Sequence, residues 1–224
     1  MIAGKTLLQR VHDAVKDTNL FQRIVIATDH PEIFDHAKTL HCEVMMTSPD
    51  HISGSDRIAE CARQIQTDII INVQGDEPFI DKEPLQKLIT AFDDKDIQVA
   101  SLMHIITDKD DIKNPNAVKV VVDKQNFAIY FSRATIPYIQ PSTFMGASPS
   151  PTYYKHIGVY GYRPEMLQEF VSLPHGTLEK IEKLEQLRLL ENNIKIKMIE
   201  TQYTGIGIDT KEDIEKAEKK INER

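Results

Sequence analysis

The chain predicts an α/β fold, a Rossmann-like and mostly parallel sheet with a small antiparallel lobe, and three observations predict it. Short apolar runs alternate with amphipathic segments over residues 1–103, the pattern of strands crossed over by helices. Residues 117–162 break that alternation with β-rich runs joined by the turn-forming Asp123-Lys124-Gln125-Asn126. The apolar run Asp68-Ile69-Ile70-Ile71 ends at once in Asn72-Val73-Gln74-Gly75-Asp76-Glu77-Pro78. That is a polar glycine turn at the carboxyl end of a buried strand, where open α/β sheets bind ligands.

Leu7, Leu8, Val11, Ala14 and Val15 recur at helical spacing, so a helix opens the chain. Arg23 to Thr28 reads as a strand, and Asp29-His30-Pro31 as a turn suited to starting a helix. Glu43 to Thr47 is a second strand and Ser48 to Ser55 a polar loop, with a helix from about Asp56 to Gln66. Helix Lys82 to Phe92 and strand Ile97 to Met103 follow. Ala117 to Val122 and Phe127 to Phe131 make the hairpin, and Lys155 to Tyr162 is a further strand. Leu178 to Glu191 reads as one strong helix, Lys195 to Thr201 as a strand, and Lys211 to Asn222 as a charged terminal helix. Gln140 to Thr152, rich in Pro and Ser, is a long loop that suits a mobile flap.

Residues 1–224 are expected to form one domain, with the antiparallel lobe at about 114–162 serving as a homodimerisation platform. A doubly wound sheet normally opens with a central strand and a phosphate-cradling loop. Only Met1-Ile2-Ala3-Gly4 precede the first helix, so that first strand and its loop are expected to be missing.

An apolar fraction of 41% supports a sizeable core, and a net charge of −7 argues against a nucleic-acid partner. Cys42 and Cys61 lack metal or redox spacing and suit a reducing, cytoplasmic compartment. Nothing in the chain reads as a signal peptide or a membrane span.

Several constellations carry chemistry. Gly4-Lys5-Thr6 matches the end of a P-loop, but that motif needs another glycine upstream and a strand before it, so a helix entry is favoured. Asp209-Thr210 either caps the terminal helix or sets Asp209 beside Asp76, where one or two carboxylates can hold magnesium. On a helical projection Glu185 falls between Leu178 and Ile181 on the apolar side, with Arg188 as its partner or a polar ligand in that place. Gln186 and Glu182 lie close by. Arg133 closes a strand and offers a fork for a carboxylate, or is a surface arginine. His156 starts a strand as a structural or a functional ring. His51 to Arg57 is a plain helix cap or a loop that lets a base approach its backbone.

Ala27-Thr28-Asp29, Ser53-Gly54-Ser55-Asp56-Arg57 and Asn72 to Pro78 together resemble the 3-deoxy-manno-octulosonate (Kdo) cytidylyltransferase family. The resemblance continues through Asn114 to Lys119, Tyr130 to Pro137, His156 to Tyr162, Leu184 to Arg188, and Asp209-Thr210 with Glu212-Asp213. It implies a fold of the nucleotide-diphospho-sugar transferase type. It also implies a reaction in which Kdo attacks the α-phosphate of CTP, giving CMP-Kdo for lipopolysaccharide and pyrophosphate. By the same resemblance Asp76 and Asp209 hold catalytic magnesium, and Ser53, Gly54, Arg57 and Gly75 bind the nucleotide. Gln74, Arg133, His156, Tyr160, Glu185 and Gln186 line the sugar-acid pocket. The alternatives are a CMP-sialic acid-type synthetase, or an inactive sugar-acid-binding or dimerising module. Ser55-Asp56 stands where the family commonly has Thr-Glu, and Met1 to Thr6 matches only the end of the family's phosphate loop.

Overall fold

The first helix starts where its cap residue dictates, in a computed structural model that describes residues 1–140, 152–205, 207–208, 214–215 and 218. Thr6 is extended and its hydroxyl accepts the Gln9 N–H at 3.2 Å, which opens α1 (Leu7–Asp17). Gly4-Lys5-Thr6 is therefore a helix entry, with Gly4 supplying a left-handed φ of 79°. β1 (Val25–Thr28), α2 (Pro31–Thr39) and β2 (Glu43–Met46) follow, and β1 pairs with β2 in parallel. Ser53 and Asp56 form a capping box that starts α3 (Gly54–Ala62), two residues before the expected boundary.

Next come β3 (Ile70–Asn72), α4 (Lys82–Thr90) with a 3₁₀ turn at Ala91–Asp93, β4 (Val99–Ile105) and the short α5 (Lys109–Lys113). The hairpin of β5 (Lys119–Val122) and β6 (Ala128–Ser132) turns on the expected tetrad. Asp123 Oδ1 accepts the Gln125 and Phe127 N–H groups, both at 2.8 Å, and Asn126 takes a φ of 59°. β7 (Tyr154–Tyr162) leads into α6 (Pro164–Ser172), which proline opens at its first turn. α7 (Thr177–Glu182), α8 (Leu187–Glu191) and β8 (Lys197–Glu200) follow.

β1 and β2 form a two-stranded sheet of their own. The other strands make a six-stranded sheet ordered β6-β5-β7-β4-β8, with β3 also on β7. β3, β4 and β8 point one way, as the alternation predicts, while β7 runs against β3, β4 and β5. The sheet is thus mixed, and one strand serves both the core and the lobe. Side chains alternate between two cores. Ala100, Leu102, Ile157 and Val159 face α4 residues Leu85 and Leu88, while Val99, Met103 and Tyr162 face Leu167, Phe170 and Leu187. At Gly161 a Cβ would sit 2.5 Å from the Phe92 ring, so only glycine lets that ring lie on β7.

The expected single helix Leu178 to Glu191 is two helices. Lys183 ends α7 in the left-handed region (φ 55°, ψ 46°), and α8 starts only at Leu187. The projection that put Glu185 between Leu178 and Ile181 therefore fails, and Ile181 is 73% exposed. Arg188 stays 3.7 Å from Glu185, the partner its spacing predicts, but its hydrogen bonds go to Glu179, from Nε at 2.9 Å and Nη2 at 2.7 Å. The proposed flap, apart from its ends, and most of the proposed terminal helix lie outside the described residues. Among the described residues no helix is long and apolar enough to cross a membrane.

Candidate active site

β3 delivers Asn72 to a turn in which the Glu77 N–H donates to the Gln74 carbonyl at 3.2 Å. The segment after β8 is laced to this turn. Ile208 N–H donates to the Asp76 carbonyl at 3.1 Å, and the Tyr203 hydroxyl donates to Glu77 Oε2 at 2.6 Å. Asp76 Oδ2 faces Gly207, where a Cβ would stand 3.7 Å away. Asp209 lies outside the described residues, but its neighbour Ile208 reaches Asp76. On the other side Gln74 lies over β7, so a Cβ at Gly158 would approach Gln74 Nε2 to 3.3 Å.

Opposite the turn stands the start of α3. Ser53 is a cap: its hydroxyl accepts the Asp56 N–H at 3.2 Å and donates to Asp56 Oδ2 at 2.9 Å. Ser55 Oγ donates to Glu185 Oε2 at 3.1 Å. Burial pushes the Glu185 carboxyl up, against the pull of Ser53, Ser55 and Arg188. Arg188 stays 3.7 Å from Oε1, which is sealed and hydrogen-bonds nothing among the described residues.

Between the turn and α3 lies a cavity of about 440 Å³. Ala27 of β1, Gly54, Ser55 and Arg57 of α3, Gln74, Gly75 and Glu185 line it. Five of the residues singled out from the sequence, Gly54, Arg57, Gln74, Gly75 and Glu185, thus share one cavity at the carboxyl ends of strands. A larger cavity of about 860 Å³ opens at the amino ends of β4 and β8, near Phe127 and Lys197, and holds none of them. Arg57 also braces the wall: Nη1 donates to Thr47 Oγ1 at 2.5 Å and Nη2 pairs with Asp29 at 3.0 Å, tying α3 to the ends of β1 and β2.

His156 and Tyr160 stand on β7, both buried, with ring centroids 5.3 Å apart. Burial, then the charge of Tyr162 and Glu185, pushes the Tyr160 hydroxyl well up, so it stays protonated. Burial pushes the His156 imidazole down to about 3, so it is neutral at physiological pH. Unfolded, the ring binds its proton below about 6.5, so between about 6.5 and 3 the unfolded chain holds more protons. Stability therefore falls as pH falls through that window, by about 1.4 kcal/mol per pH unit. In His156→Asn this component disappears. Urea unfolding should show the wild type losing about 2 kcal/mol more than the variant between pH 7 and pH 5. Parallel losses would refute it.

Arg133 ends β6 outside the cavity lining, and backbone carbonyls occupy its guanidinium. Nε donates to Glu182 O at 2.9 Å, Nη1 to Pro115 O at 3.1 Å and Nη2 to Lys183 O at 3.5 Å. Fully buried Lys119 supports it from below, donating to the Asn114 and Arg133 carbonyls at 2.8 and 2.7 Å. Gln186 is buried outside the cavity lining, and its Nε2 has no hydrogen bond among the described residues. Sequence reasoning missed Ser55 and Lys119 as supports. Both sat inside recognised motifs, but a lysine in a β-rich run carries no signal that it will be buried.

The cytidylyltransferase family model matches residues 1–196. The 3-deoxy-manno-octulosonate cytidylyltransferase of Flavobacterium johnsoniae is 47% identical over 219 residues, covering 96% of this chain and 88% of that protein. Its namesake from Fusobacterium nucleatum is 43% identical over 225 residues, covering 100% and 89%. Among solved structures, a CMP:2-keto-3-deoxy-manno-octonic acid synthetase complexed with CTP is similar at a TM-score of 0.90 and 35% identity, covering 100% of this chain and 90% of that one. The 4-diphosphocytidyl-2C-methyl-D-erythritol synthase of Anaerococcus prevotii shares the fold alone, with a TM-score of 0.64 at 13% identity over 99% and 91% of the chains.

Proposed function

Because this chain belongs to the 3-deoxy-manno-octulosonate cytidylyltransferases of the cytidylyltransferase family, we propose that it activates Kdo with CTP and magnesium, releasing pyrophosphate. One observation carries the reading: Gly54, Arg57, Gln74, Gly75 and Glu185, from three distant stretches, line one strand-end cavity in a chain this similar to named synthetases. The bond that forms joins the anomeric oxygen of Kdo to the α-phosphorus of CTP. The bond that breaks frees pyrophosphate, and the hydroxyl gives up its proton.

Asp76 offers hard oxygens beside the side-chain-free Gly207, a donor type suited to magnesium, and Asp209 is its partner in this proposal. When bound, the cation would neutralise charge on the phosphates and orient the attacking hydroxyl. The Ser53-Gly54 turn and Gly75 face the nucleotide. Glu185, held by Ser55, accepts hydrogen bonds from sugar hydroxyls, with Gln74, His156, Tyr160 and Gln186 around it. Arg133 anchors the sugar carboxylate with the N–H groups its carbonyl contacts leave available. The enzyme works in the cytoplasm and supplies lipopolysaccharide assembly. It acts as a homodimer through the lobe, where Ile129 on edge strand β6 is 60% exposed.

The test is pyrophosphate release and CMP-sugar formation from CTP and a panel of 2-keto sugar acids. Product from Kdo, with magnesium required, is expected. Turnover of sialic acid alone, or no turnover of any acid, would overturn the proposal.

A further inference from the structure

Ser101, fully buried in β4, sits at an irregularity in the ladder between β4 and β7. Ser101 is opposite Tyr160 but Leu102 is opposite Ile157, so Gly158 and Val159 are extra residues on β7. Such a bulge turns backbone carbonyls out of the ladder. Ser101 Oγ meets two of them, Val159 O at 2.9 Å and Ile157 O at 3.3 Å, and also lies 2.9 Å from His156 Nε2.

Counting hydrogens decides the roles. A carbonyl only accepts, and a serine hydroxyl has one hydrogen to give. With that hydrogen given to Val159 O, one of the two shortest contacts, the oxygen accepts from His156 Nε2–H. A neutral imidazole carries one N–H, which leaves Nδ1 as a bare acceptor. The ring is neutral because of its burial. Phe131 lies edge-on at 5.0 Å and Tyr160 lies tilted at 5.3 Å, so the ring is held in this orientation. Nδ1 hydrogen-bonds nothing among the described residues and is not sealed off as the orphaned atoms of Glu185 and Gln186 are.

We propose that Ser101 is a positioning residue that fixes His156 as the Nε2–H tautomer and so presents Nδ1 as a hydrogen-bond acceptor to a hydroxyl of the sugar acid. The substrate half of this rests on the function proposed above; the tautomer half does not. His156 on this account recognises a hydroxyl and takes no proton from it.

The experiment reads the two halves separately. In histidine-¹⁵N-labelled protein without substrate, two-bond ¹H–¹⁵N correlations at neutral pH should show His156 as the Nε2–H tautomer. Its signal among the eight histidines is identified by its loss in His156→Asn. Ser101→Ala should let the signal move toward a mixture of tautomers, and Ser101→Thr, which keeps the hydroxyl, should restore it. An Nδ1–H or protonated ring in the wild type would overturn the proposal even if Kdo is the substrate. In turnover, Ser101→Ala should raise KM for the sugar acid about tenfold, leaving kcat and KM for CTP within about twofold, with Ser101→Thr near wild type. Equal rises in both KM values, or none, would overturn the acceptor role. Thermal melts of each variant confirm that folded protein is compared. If no sugar acid turns over, the proposed function fails while the wild-type tautomer still decides the role of Ser101.

Discussion

Replacing Arg188 by alanine should lower the unfolding free energy by about 3–5 kcal/mol, the usual result of stranding one half of a buried ion pair. Arg188 is 1% exposed and grips Glu179 with two parallel hydrogen bonds. Its guanidinium also lies over the Phe170 ring, 4.8 Å from the centroid. Burial alone would push the Glu179 carboxyl up. The hydrogen bonds from Arg188, His175 and the Gly176 N–H outweigh that and hold it low. Remove the guanidinium and a carboxylate buried between α7 and α8 loses its main partner. A domain of this size is stable by about 5–15 kcal/mol, so the loss takes a large share of the total. The double variant Glu179→Met with Arg188→Met should recover much of it, since an apolar pair of similar volume needs no desolvation of charge. Urea unfolding of the wild type, both single variants and the double variant measures the coupling. A single-variant loss below about 1 kcal/mol would show that water reaches the pair.

Asp76→Asn should cut kcat for CMP transfer about a thousandfold while leaving the melting temperature nearly unchanged. Asparagine keeps the shape of the side chain, and the contact from Ile208 is made to the Asp76 backbone carbonyl, so the turn keeps that support. The substitution removes one negative charge at the carboxyl end of β3, beside Gly207. Raising the magnesium concentration should recover part of the loss, because a weakened cation site binds by mass action. Pyrophosphate release across a magnesium titration reads both effects. Near-normal turnover would remove Asp76 from the chemistry.

The parts of this molecule written in local pattern were legible in its sequence. Asp68 to Pro78 announced a strand and the turn after it because an apolar run met glycine, acids and proline within a few residues. Asp123 to Asn126 announced the hairpin by the same logic, and Ser53 with Asp56 carried the cap of α3. The break at Lys183 was not legible. The apolar spacing of Leu178, Leu184, Leu187 and Leu189 runs through it, and a lysine carries none of the left-handed preference of glycine or asparagine. Once the helix breaks, Arg188 gives both of its hydrogen bonds to Glu179 and keeps Glu185 as a more distant ion partner at 3.7 Å. The bulge opposite Ser101 was equally hidden, since Gly158 was its only trace and pairing across strands is a tertiary fact. Arg133 could be placed at a strand end, but the carbonyls that surround it come from residues near Pro115 and Glu182, far apart in the chain.

The two sheets have a mechanical consequence. Ala27 and Gln74 both line the smaller cavity, one near the end of β1 and one just past β3, and no ladder joins those strands among the described residues. The width between the walls is therefore governed by α3 and the Arg57 brace rather than by a row of backbone hydrogen bonds. By the function proposed above, a nucleotide lodged there would act as a crosspiece. Its occupancy should stiffen a seam that the polypeptide leaves compliant, and slow amide exchange along Val25–Thr28 more than along the continuous ladder of β4.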